Sequence, residues 1–229
     1  MSKTFRVALT ATLPVMAGYL VLGMAFGLLM TDKGFDAGWA VLMSVFVYAG
    51  SMQFVGAGLL AGGASLASAA LMTLLVNARH LCYGLSMLRP YRDAGAMKPY
   101  LIFALTDETY SLVCSPSLPP EVDSRWYYFW VSLLDQCYWV AGTAAGCLLG
   151  RALPFDTTGV DFAMTALFLV IFLEQWEKAK SHLPALLGLG AAGVCLLVFG
   201  PSSFLIPAMV CIVAGLLALR PLLTKGGSQ

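Results

Sequence analysis

Residues 19–29 read YLVLGMAFGLL, and residues 138–149 read YWVAGTAAGCLL. Tyr19, Gly23 and Gly27 thus return as Tyr138, Gly142 and Gly146 at a constant offset of 119 residues. Phe35-Asp36 returns as Phe155-Asp156 at an offset of 120, and Gln53 as Gln175 at 122. One Tyr-x-x-x-Gly-x-x-x-Gly match in a glycine-rich chain carries little weight. Several matches in the same order, drifting by a residue or two, point to an internal duplication. A duplicated hydrophobic half is the pattern of transporters whose repeats rock against each other.

Composition sets the solvent. The 229 residues are 59% hydrophobic and 11% charged, with a mean hydropathy of +0.82. Soluble domains carry about 25% charged residues, so lipid must face most of this surface. A net charge of +1 with no long basic run excludes a nucleic-acid partner. Cys82, Cys114, Cys137, Cys147, Cys195 and Cys211 are scattered with no Cys-x-x-Cys pair, and read as packing residues. Lys3 and Arg6 precede an apolar run that continues to Met30 without a small-residue cleavage site, so a retained helix is expected rather than a signal peptide.

The expected fold is an all-α integral membrane protein, a single transmembrane domain over 1–229. Its 7–8 hydrophobic segments lie near 9–30, 38–61, 65–88, 99–115, 126–149, 160–176, 184–199 and 202–219. Repeat 1 would cover about 9–115 and repeat 2 about 126–219. Lys3 and Arg6 favour a cytoplasmic N-terminus, and Arg220 with Lys225 a cytoplasmic C-terminus. The connection carrying Arg89, Arg92 and Lys98 is basic too, and reaches the same side only if segment two turns back at mid-depth. Tyr48-Ala49-Gly50-Ser51 supplies the interruption. The same device in segment six, beside Glu177, Lys178 and Lys180, would make the fifth segment run opposite to the first, giving two inverted repeats with discontinuous or re-entrant helices.

Polar residues inside apolar segments fall in clusters: Ser51 and Gln53; Asn77, Arg79, His80 and Tyr83; Thr106, Asp107, Glu108 and Tyr110; Asp135 and Gln136. A charge at the bilayer centre costs about 2.5–3.5 kcal/mol on insertion scales, so each needs a reason to be there. Arg79 lies about ten residues before Arg89, deep for a side chain that merely reaches the headgroups. Asp107 and Glu108 sit near the middle of their segment, paired with Arg79 or facing a solute. Glu174-Gln175-Trp176 closes segment six, and Gln175 reads as an interfacial anchor. Gly23-x-x-x-Gly27 and Gly142-x-x-x-Gly146 suit close helix packing. A helix restarting after Gly50 would have Ser51 as its N-cap and free N–H groups facing an anion. The sequence lacks His-Glu-x-x-His, Gly-x-Ser-x-Gly and P-loop motifs, and His80 and His182 stand far apart. No enzyme activity, metal or cofactor is therefore expected.

Tyr-Ala-Gly-Ser-x-Gln-Phe at 48–54, Asn-x-Arg-His-x-x-Tyr at 77–83 and Thr-Asp-Glu-x-Tyr at 106–110, with Pro14 and Gly18, stand in that order. Together they make the chain resemble the AzlC (YgaZ-like) family of branched-chain amino-acid exporters, over about residues 5–220. The resemblance implies export of valine, leucine, isoleucine or methionine across a bacterial inner membrane. It also implies a small AzlD-like (YgaH-like) membrane subunit as partner.

The residues can be read toward the same end. A zwitterion with an aliphatic tail needs an anion site, a cation site and an apolar wall. Ser51, Gln53, Asn77, Arg79, Tyr83, Asp107 and Glu108 are the substrate-binding candidates; His80, Asp107, Glu108 and Asp135 are the candidates for proton coupling or gating in alternating access. Two other readings stay open here: a non-transporting scaffold for the small subunit, and a passive channel for small solutes.

Overall fold

The computed structural model describes residues 2–114, 116, 118–152, 169, 172, 173, 176, 177, 181–200 and 204–225. Phe155, Asp156, Glu174, Gln175, Lys178 and Lys180, and with them most of segment six, lie outside the described residues. The chain forms two compact units, Met1–Met164 and Thr165–Gln229. All regular elements among the described residues are helices.

Helix α1 (Ser2–Asp32) and helix α8 (Ser124–Ala152) are the long struts of the first unit. They run parallel, because their contacts climb together: Phe5 meets Trp130, Thr12 meets Tyr138, and Thr31 meets Gly150. The duplicated glycines face one another. A Cβ on Gly23 would lie 2.7 Å from the Trp139 carbonyl oxygen, and one on Gly142 would lie 2.7 Å from that of Leu20. Gly27 and Gly146 abut opposing backbone in the same way, and the Cys147 thiol bonds the Gly27 carbonyl at 3.5 Å. Lipid offers no hydrophobic drive between helices, so backbone contact across small residues supplies the packing.

Between the struts the chain makes two hairpins of short helices. Gly34 (φ 79°) ends α1 in a left-handed turn that returns the Phe35 N–H to the Met30 carbonyl at 2.9 Å. Asp36 then caps α2 (Ala37–Phe46), accepting from the Gly38 N–H at 3.0 Å and pairing with Arg151 at the end of α8. α2 descends along α8, with Ser44 on Thr143 and the Val45 carbonyl on Gln136. Tyr48, with φ 41°, turns the chain. α3 (Gly50–Ala61) climbs back, bringing Gln53 beside Ser44 and Gly56 beside Met43. Segment two is therefore a hairpin of two short helices, broken where its interrupted sequence predicts. Its helix is capped at Ala49 with no side-chain bond, so Ser51 is not the N-cap; it stands inside the first turn.

α4 (Leu66–Val76) and α5 (Arg79–Met87) cross in one direction, broken at Asn77-Ala78. They end where Met87 and Tyr91 pack with Ala8, Tyr127 and Tyr128, so the basic connection 89–98 lies at the N-terminal end of α1. A 3₁₀ turn (Gly95–Met97) leads to α6 (Lys98–Phe103), which rises along α8 through Tyr100 on Phe129 and Gln136. α7 (Asp107–Val113) falls back, with Thr109 on Asp135 and the Leu112 carbonyl accepting from the Tyr127 hydroxyl at 3.4 Å. Segment four is thus a second hairpin, opening toward the opposite end of the struts from the first.

That second reversal corrects the expected topology. One re-entrant segment before α8 would set it opposite to α1; two set it parallel, as found. α1 with its hairpin and α4–α5 with its hairpin instead run in opposite directions, each helical run followed by a pair of short helices.

In the second unit α9 (Leu183–Phe199) packs on α10 (Leu205–Lys225), with Leu187 against Gly215, and Trp176 stacks on His182 at 4.1 Å. Among the described residues one helix, spanning Lys3–Asp32, is both long and apolar enough to cross a membrane by itself.

Candidate functional site

The two hairpins point at each other. Tyr48, at the tip of the first, packs on Phe103 at the tip of the second, ring centroids 6.3 Å apart. Beside them Trp139 stands edge-on to Tyr19 at 5.4 Å, and its indole lies 3.2 Å from where a Gly50 Cβ would be. Glycine at 50 is what lets the start of α3 sit on that ring.

A row of polar groups fills this junction. Thr106 caps α7, its hydroxyl accepting from the Thr109 N–H at 3.3 Å. Asp107 and Glu108 follow in the first turn, where the helix end favours negative charge. The Tyr19 hydroxyl donates to the Glu108 carboxylate at 2.7 Å and meets the Thr106 hydroxyl at 2.6 Å. Thr106 continues to Thr109 at 3.1 Å, and Thr109 donates to Asp135 at 2.8 Å. Tyr19, Thr106, Thr109 and Asp135 are buried, and Glu108 is half-buried. A second, smaller network runs from Gln53 through Ser44 to Thr143 at 3.1 and 2.9 Å. Asp135 Oδ1, Gln53 Oε1 and Trp139 Nε1 are buried with no hydrogen-bond partner among the described residues. Buried polar atoms are almost always satisfied, so this many in one region mark a place built for something other than packing.

The third cluster lies alongside. Asn77 and His80 line a cavity of about 440 Å³ whose other walls include Leu81, Leu85, Ile102 and Leu105. Leu105 on its wall precedes Thr106 in the chain. The Asn77 carbonyl receives the His80 N–H at 2.9 Å, and Tyr83 stacks on Tyr110 at 4.6 Å. Arg79 opens α5; the pairing of its side chain with Asp107 or Glu108 lies outside the described residues.

The structure thus joins Glu108 with Asp135 and sets Asn77 with His80. It puts Gln53 in its own buried network, Ser51 in the first turn of α3, and Tyr83 on Tyr110. Tyr19, Tyr48, Thr109, Ser44, Thr143 and Trp139 belong to the site and were not picked out by sequence reading. Tyr19 stood only as a marker of the duplication.

Comparison with known proteins follows the same span. The AzlC protein family matches residues 14–153. A Bacillus subtilis protein named branched-chain amino acid transport protein AzlC is 48% identical over 221 residues, covering 96% of this chain and 87% of its own. The chain belongs to the AzlC family. An uncharacterized membrane protein of Helicobacter pylori is 42% identical over 95% of this chain and 96% of its own. The Escherichia coli inner membrane protein YgaZ is 32% identical over 94% of this chain and 87% of its own. No solved structure matches. As a member of this family the chain is a membrane protein, and the family span contains both hairpins and every residue of the polar row.

Proposed function

We propose that this AzlC-family chain is the transporting subunit of a secondary exporter for branched-chain and other hydrophobic amino acids, working by alternating access in a bacterial inner membrane with both termini cytoplasmic. The observation that carries the reading is the pair of opposed hairpins meeting tip to tip beside buried carboxyls. Interrupted helices at mid-depth, with ionisable groups at the break, are how transporters build solute sites in lipid. The N-terminal end of α3, at Gly50 and Ser51, suits the substrate carboxylate. Asn77 or Arg79 would share the carboxylate, and Asp107 and Glu108 suit the ammonium group. The cavity beside Leu105 takes the aliphatic tail; its volume lies in the range of small-molecule sites. A proton gradient drives export through Glu108, Asp135 and His80. A small AzlD-like membrane subunit completes the transporter.

The experiment is reconstitution into liposomes with and without that small subunit, with valine flux measured against a pH step. Saturable, gradient-driven flux that is lost in Asp107→Asn and Glu108→Gln, while both variants stay folded, is expected. Flux that never saturates indicates a channel. A chain that neither moves nor binds valine or leucine alone, beside a small subunit that does, indicates a scaffold.

A further inference from the structure

Glu108, Tyr19, Thr106, Thr109 and Asp135 form one unbroken row of four hydrogen bonds, at 2.7, 2.6, 3.1 and 2.8 Å. Each link needs one proton between its two oxygens. Three hydroxyls supply three protons. With both carboxyls ionised, one link is left with lone pairs facing each other inside the protein. One additional proton fills all four. It can sit on Glu108, so that Glu108 donates to Tyr19, Tyr19 to Thr106, Thr106 to Thr109 and Thr109 to Asp135. It can sit instead on Asp135 when every donor reverses, including the Thr106 hydroxyl that here donates to Thr109. The Thr109 N–H bond to Thr106 is compatible with both, because a hydroxyl oxygen accepts twice.

We propose that Glu108 and Asp135 hold a single proton between them and exchange it through the hydroxyls of Tyr19, Thr106 and Thr109. In the transfer the Glu108 O–H bond breaks as Tyr19 takes the proton and gives up its own to Thr106. Thr106 passes its proton to Thr109, and Thr109 passes its own to Asp135. Three hydroxyls remain hydroxyls, Glu108 ends ionised, Asp135 ends protonated, and net charge is unchanged. The two ends differ in access: Asp135 is fully buried whereas Glu108 is half-buried. Glu108 is therefore the port and Asp135 the store. The titratable groups around the row are Tyr48 at the first hairpin tip, Tyr100 on α6, Asp107 on α7 and Tyr127 on α8. Phenols ionise near pH 10, so these tyrosines keep their protons at neutral pH and do not compete for the shared one.

The use of this relay in coupling rests on the transport reading, but its test does not. Infrared spectra of the purified full chain at neutral pH, in light and heavy water, read protonated buried carboxyls directly. One such carboxyl per chain is expected. Separate carboxyl-¹³C labelling of aspartate and of glutamate should each shift part of its band. Glu108→Gln and Asp135→Asn should each abolish it, because a permanent amide donor at one end replaces the shared proton. A band absent from the parent, a band worth two carboxyls, or a band moved by one label alone overturns the proposal without any variant having to fold. In liposomes, Tyr19→Phe and Thr109→Val should cut valine-driven proton flux at least tenfold, and Thr109→Ser should restore it. Unaltered proton flux in both broken-row variants overturns the relay, whereas no valine transport in the parent counts against the transport reading alone.

Discussion

Gly142→Ala tests whether the α1–α8 contact carries the first unit. The added Cβ would meet the Leu20 and Tyr19 carbonyl oxygens at 2.7 and 3.0 Å and the Leu20 Cα at 3.1 Å. Ordinary contact begins at 3.4 Å, so the helices must part by about 0.7 Å at this level. All three atoms are backbone and none can swing aside. Overpacking costs about 1–3 kcal/mol, and an unyielding wall places this change at the upper end. At about 2–4 °C per kcal/mol for a chain of this size, the melting temperature in detergent should fall by about 6–12 °C. Gly18→Ala is the control on the same helix: nothing lies within 4 Å of its Cβ, and alanine gains up to about 1 kcal/mol of helix propensity. Thermal melts followed by size-exclusion recovery would read both. Gly142→Ala melting within a degree or two of the parent, or Gly18→Ala losing as much, would refute the backbone-contact argument.

Thr106→Ala removes the cap of α7 and should cost about 1 kcal/mol, while Thr106→Ser keeps the cap and should recover most of it in the same melts. Asp36 lies beyond the end of α1, in the turn to α2, where the Gly38 N–H and then the Arg151 guanidinium hold its carboxyl below the usual 3.8. A lowered carboxyl stabilises fully above that ordinary value, and its contribution drains away as pH falls through the folded value. Melts across acid pH should show this loss in the parent and a flatter profile in Asp36→Asn. Asp36→Ala, which also loses the α2 cap, should melt below Asp36→Asn at neutral pH.

The site was legible where the residue type itself is costly in lipid. Glu108, Asp135, Asn77 and His80 stood out because their polar side chains lie inside apolar segments. Tyr19, Thr109, Ser44 and Thr143 did not, because a hydroxyl in an apolar helix is ordinary and only the neighbours reveal its purpose. Gln53 was visible in the sequence, but its buried partner was not. Its amide is held by Ser44, which bridges the arms of one hairpin and cannot be seen from spacing.

The topology turned on one misread signal. Tyr48-Ala49-Gly50-Ser51 announces a break by composition, and the hairpin is there. Thr106-Asp107-Glu108 announces one equally, as an N-cap residue followed by two acids in a first helical turn. Read as chemistry in the middle of a span, it concealed a second reversal. Each re-entrant segment changes the parity of everything after it, so one missed hairpin turned an expected antiparallel pair of struts into a parallel one. The duplicated glycines are decisive here. In a parallel pair equivalent residues face each other at one level, so Gly23 meets Gly142 and Gly27 meets Gly146 with no change of offset. An antiparallel pair would meet its equivalents at no more than one level. An antiparallel pair would set Gly23 against Gly146 and Gly27 against Gly142; the pairing found is Gly23 with Gly142 and Gly27 with Gly146, so the struts run the same way, and that requires the reversal at Thr106.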